Sequence, residues 1–233
     1  MHILDGHLPV LSLGVGFAVS GGLLAATLPS LDRVSPPRVA TVSSAFFVAS
    51  LLRLPFAGTS LHLSLVGLTG VVLGRAAFPA VVVGLVLQWL MFGHGGLTTL
   101  GVNAATMGIG ALVAALAFHG RLPGGPRETP RVPRHPVARG ALAGFLGTAC
   151  SLSLYAAALL TAGEGLRSVA WACVVVHAPV LVIETVLGAS VVGFLLRARP
   201  ELLAGAPRRF GQGDPPPLQE DAAAAAAPQE SGA

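Results

Sequence analysis

The sequence predicts an all-α, polytopic membrane bundle of six or seven spans, and three observations carry that reading. Of 233 residues, 53% are hydrophobic and only 10% charged, against the roughly 25% charged residues of a soluble domain. The charges gather in short clusters between long apolar runs instead of spreading along helix faces, so lipid is the expected solvent for the runs and the clusters are loops. The arginine clusters also recur at one parity of the runs, as the bias of short cytoplasmic loops toward positive charge requires.

The apolar runs lie at 10–29, 39–56, 62–74, 76–92, 102–118, 137–162 and 169–196. The third is shorter than the ~20 residues of a full crossing. It is therefore expected to tilt, to re-enter or to be shielded by its neighbours, and six spans is the alternative count. Arg33 and Arg38 follow the first run; Arg121, Arg127, Arg131, Arg134 and Arg139 surround the junction of the fifth and sixth; Arg197, Arg199, Arg208 and Arg209 follow the seventh. An odd number of crossings puts all three clusters inside and the N-terminus outside, with Arg75 at the inner end of the third run and Arg53 and Arg167 as outer exceptions. The start, MHILDGHLP, carries Asp5 and no Lys or Arg, unlike the basic leader of a signal peptide. Residues 1–200 thus form the membrane domain. Residues 201–233, Pro-rich and then Ala-rich, are expected to be a disordered cytoplasmic tail.

Composition also excludes functions. All fourteen basic residues are Arg, so the Gly-Lys-Ser/Thr loop that cradles nucleotide phosphates cannot be built, and any ATP must be hydrolysed by another subunit. The net charge of +4 sits in loops and tail without interleaved aromatic residues, which argues against nucleic acid as a partner. Cys150 and Cys173 lie far apart in apolar runs and read as small hydrophobes. No His-Glu-x-x-His pattern occurs and the histidines are single and widely spaced, so no enzyme and no catalytic cofactor is expected.

The histidines suggest metal instead. In the seven-span reading His2, His7, His62 and His94 all lie near the outer face, whereas His119 and His135 belong to the Arg-rich inner loop and read as solvated. His177 and Glu184 are seven residues apart, on nearly the same face of the last run. The start Met1-His2 has a particular chemistry: the α-amine, the following amide once deprotonated and the His2 imidazole form fused chelate rings with three nearly coplanar nitrogens. An imidazole from His62 would complete a square-planar site suited to Ni(II) or Cu(II), and open to some Co(II) complexes. The plainer alternative is that Met-His is an ordinary start and His62 an amphipathic residue at the interface.

The blocks MHILDGHLP, GTSLH at 58–62, GHGGLTTLGVN at 93–103 and HAPVLVIETVLG at 177–188 resemble the CbiM/NikM family, the substrate-binding membrane components of energy-coupling-factor cobalt and nickel transporters. The likeness runs in order from residue 1 to about 200. It implies metal ligands at Met1, His2 and His62, with Co2+ or Ni2+ as cargo. His94, Asn103, His177 and Glu184 match the family pattern as residues that would orient those ligands, or simply bond one another across the bundle. Implied partners are a transmembrane coupling subunit, cytoplasmic ATPase subunits and a small accessory membrane protein, in a bacterial inner membrane; a stand-alone channel or secondary carrier is the alternative. Leu63 and Thr185 depart from the Pro and Gly common at those positions. The small residues Gly14, Ala18, Gly22 and Ala26 recur every four positions in the first run, which suits either close packing or docking.

Overall fold

In the computed structural model, residues 2–56, 59–122 and 132–203 are described, those of 53–56 and 59–61 by their backbone alone. The predicted runs emerge as α1 (Val10–Thr27), α2 (Pro36–Leu51), α3 (Val66–Leu73), α4 (Ala77–Phe92), α5 (Leu100–His119), α6 (Pro136–Leu160), α7 (Arg167–Val176) and α8 (Ala178–Ala198). Among the described residues, five stretches are long and apolar enough to cross a membrane, α1, α3 joined to α4, α5, α6 and α7 joined to α8. Of the disordered tail expected at 201–233, residues 201–203 instead end a short turn with Leu203 buried against the bundle, because an apolar side chain there reaches the core, and 204–233 lie outside the described residues.

Two of the expected spans are built differently from a plain helix. The second run stops being helical at Leu51, and its last residues form strand β1 (Arg53–Phe56), which pairs antiparallel with β2 (Thr59–His62), Arg53 standing opposite His62. Pro55 lies in that stretch, and a proline removes the N–H that a continuing helix would need. The last run is likewise two helices, parted at His177 (φ −83°, ψ 0°). Pro179, at the start of α8, cannot donate to the carbonyl four residues back, so the helix re-initiates there.

α5 is the centre of the bundle and packs against α1, α3, α4 and α6, while α6 also receives α3, α7 and α8. The largest core cluster joins Phe46 of α2, Val66 of α3, Val81 and Leu85 of α4 and Met107 of α5. α6 and α8 cross on glycines: a Cβ on Gly140 would stand 2.6 Å from the Gly188 carbonyl oxygen, so any side chain there would push the helices apart. α1 lies at the edge, and its four-residue stripe Gly14, Ala18, Gly22 and Ala26 faces away from the bundle.

The arginines and a histidine secure the end of the bundle opposite the N-terminal segment. Arg38 donates to the carbonyls of Val72 (2.5 Å) and Leu202, Arg75 to Ala26 O (3.1 Å) and Arg139 to Phe118 O (2.9 Å). Cations on exposed helix-end carbonyls satisfy groups that have no partner within the helix. His119, expected to be a solvated loop residue, instead closes α5 with its Nε2 2.9 Å from Val71 O and its ring edge-on to Phe118. A loop reading failed there because α5 runs to His119 itself, one residue beyond what the apolar pattern marks.

Candidate metal centre

The N-terminal segment does not trail into solvent; it folds back onto the start of α5. Ile3 is 2% exposed and packs with Leu8, Val102 and Leu159. Asn103, on the first turn of α5, holds the Ile3 backbone from both sides: Ile3 N–H donates to Asn103 Oδ1 (2.9 Å) and Asn103 Nδ2 donates to Ile3 O (3.0 Å). Thr99 Oγ1 adds a second donor to Ile3 O (2.8 Å). Two residues on, Asp5 Oδ1 accepts from the Thr98 hydroxyl (2.5 Å) and from the backbone N–H groups of Thr98 (3.1 Å) and Thr99 (3.2 Å). These donors stand at the positive end of α5, where a carboxylate is favoured. The Thr98 hydroxyl, with the backbone bonds behind it, holds the Asp5 carboxyl below its usual range.

The Gly-rich loop before α5 makes this fit possible. Gly95 has φ 78°, and a Cβ there would stand 3.0 Å from Asn103 Nδ2 and 3.8 Å from the His2 ring; a Cβ on Gly96 would overlap the Asp5 carboxyl. Only residues without a side chain leave room for the N-terminal segment against α5.

So pinned, the segment brings His2 beside the hairpin. The His2 and His62 rings are 5.1 Å apart between centroids, and His94 lies 6.3 Å from His2. His62 is 9% exposed. A neutral imidazole is the form that binds metal. The His62 Nδ1 lies 3.3 Å from the Leu63 carbonyl oxygen, a contact an Nδ1–H makes as donor. His7, by contrast, is exposed.

The other residues expected around the ligands divide by role. Asn103 anchors the N-terminal backbone and Glu184 the loop after His62, where its Oε1 accepts from Ser64 N–H (2.7 Å), Ser64 Oγ (3.1 Å) and Leu65 N–H (2.8 Å). His177 Nδ1 donates to Cys173 O (2.7 Å), and its buried Nε2 has no hydrogen-bond partner among the described residues. His94 closes the Gly-rich loop, its N–H donating to Gln88 O (3.2 Å). The departure at Thr185 is absorbed within α8, since its hydroxyl bonds Leu181 O (2.6 Å). Met1 lies outside the described residues.

Sequence reasoning missed Asp5, Thr98, Thr99, Ser64 and Gln88. A lone carboxylate in an apolar start and paired threonines at a helix start were legible signals of a cap. Gln88 is fully buried on α4, both side-chain atoms unpartnered among the described residues; an amide in an otherwise apolar run was its signal. Among the described residues no three His, Cys, Asp or Glu side chains stand close enough to hold an ion.

Residues 2–202 match the family profile described as "Cobalt uptake substrate-specific transmembrane region". The cobalt transport protein CbiM of Sorangium cellulosum is 33% identical over 87% of this chain and 94% of its own. The fused nickel transport protein NikMN of Rhodobacter capsulatus is 34% identical over 90% of this chain and 65% of its own length. A crystal structure of a transition metal transporter shares the fold at TM-score 0.64, with 20% identity over 87% of this chain and 93% of that one.

Proposed function

This chain belongs to the CbiM family of multi-pass membrane proteins of cobalt and nickel transport, and from that premise we propose that it captures Co2+ or Ni2+ through four nitrogens: the Met1 amine, the His2 amide nitrogen and imidazole, and the His62 imidazole. The observation that supports this most is the 5.1 Å approach of the His2 and His62 rings, made by a start segment whose Ile3 is fastened by Asn103 and whose Asp5 is fastened by the head of α5. That fastening sets His2 in place before any ion arrives, so little ordering remains to oppose binding. The reading requires a free α-amine on Met1. His94 lies beside the His2 ring, and the buried Nε2 of His177 offers a lone pair to a proton or water displaced on binding.

The bundle crosses the membrane seven times, α2 and the hairpin with α3 supplying the two crossings that length alone does not mark. The arginine-secured end faces the cytoplasm. With no lysine for a nucleotide loop, transport draws on ATPase subunits through a transmembrane coupling subunit; the fused composition of the nickel relative supports a multi-part importer. The test is metal accumulation in cells depleted of other importers, with and without the partner ATPase. ATP-dependent uptake is expected; full uptake by this chain alone would make it a carrier.

A further inference from the structure

Resting on the assignment of His62 as a ligand, we propose that Glu184 is a positioning residue for metal capture, which never touches the ion and acts by holding the loop that presents His62. The residue that needs holding is Leu65. Its φ of 49° makes it the one non-glycine residue with positive φ among those described. A leucine has no polar side chain with which to stabilise that conformation locally, so the surroundings must impose it.

The imposing group is a single oxygen. Glu184 Oε1 accepts the N–H of Leu65, the N–H of Ser64 and the Ser64 hydroxyl, while the Leu65 carbonyl is committed in the other direction, accepting from Thr69 N–H and Thr69 Oγ1 at 2.9 Å each. The strained residue is thus fixed at its N–H by α8 and at its carbonyl by α3. Glu184 is 2% exposed, and its own carbonyl abuts Gly144 of α6, so the carboxyl projects from a rigid crossing. His62 is two residues before Ser64. Glu184 therefore fixes the backbone two residues beyond the point from which the His62 ring projects. Its Oε1 is committed to these three donors.

The test is Ni(II) titration of the full chain in detergent, using Glu184→Ala and Glu184→Gln with His62 intact, the same changes in a His62→Ala background, and Glu184→Ala combined with Leu65→Gly. Groups that orient metal ligands change affinity by about 10- to 100-fold, and a loss of that size is expected for Glu184→Ala. Glu184→Gln should lose less, since its amide oxygen still accepts the same donors without the charge. In the His62→Ala background neither change should weaken binding further, because the loop then presents nothing. Leu65→Gly should recover part of the loss, as glycine adopts positive φ unaided. Unchanged affinity in Glu184→Ala, an additive loss without His62, or no recovery with Leu65→Gly would each overturn the proposal while leaving metal capture itself intact. Absence of Ni(II) and Co(II) binding by the unaltered chain would instead overturn the functional reading on which it rests.

Discussion

Replacing Asn103 by Ala tests whether the docked N-terminus is what makes the site. The side chain is 1% exposed and forms two bonds to one residue, receiving Ile3 N–H at 2.9 Å and donating to Ile3 O at 3.0 Å. A hydrogen bond of this kind contributes about 1 kcal/mol net, with a further cost where a buried backbone group is left unpaired. Thr99 Oγ1 still serves Ile3 O, so the Ile3 N–H carries the larger loss and the two together come to about 2–3 kcal/mol. If the bundle keeps its fold and only the start segment lets go, that energy appears as metal affinity, a weakening of roughly 30- to 150-fold. Asn103→Asp separates the bonds from the cavity: it is nearly isosteric, keeps the acceptor for Ile3 N–H, and turns a second acceptor toward Ile3 O. It should bind no better than the Ala variant. Calorimetric titration with Ni(II), beside a thermal melt of the metal-free protein to establish folding, decides the matter. A folded Asn103→Ala protein that binds within threefold of the unaltered chain would refute the idea that this clamp organises the site.

His62→Ala should abolish tight metal binding while His119→Ala and His135→Ala leave it nearly unchanged; the former rests beside His2 and His119 bonds Val71 at the opposite end, so equal losses in the same titration would be incompatible with the site. Inserting one Ala between Met1 and His2 preserves every histidine but breaks the fused chelate rings, and the extended chain should bind far more weakly at neutral pH; undiminished affinity would remove the amine from the ligand set.

Much of the fold was legible because lipid imposes a simple rule: every apolar run must satisfy its backbone internally, so hydropathy marks helices within a few residues. α5 and α6 begin and end within two residues of the runs that foretell them. The hairpin was not legible, since residues 52–56 continue the apolar run of the helix before them and only their partner strand decides their conformation. The His2 and His62 pairing was legible from chelate chemistry and the family's motifs, because Met-His is a local property of the chain. Asp5 was read merely as an acidic residue in the start segment, although it caps a helix 93 residues away.

By itself the sequence determined the solvent, the helical runs, the arginine-rich loops and the residue types able to bind a transition metal, all of which depend on composition and short-range order along the chain. Tertiary structure alone decided which polar groups meet: Ile3 with Asn103 across 100 residues and Ser64 with Glu184 across 120. The physical reason is that a buried hydrogen bond carries no periodic signature in the chain. Its partner is chosen only when the helices pack and each buried donor must find an acceptor or remain unsatisfied in a medium without water.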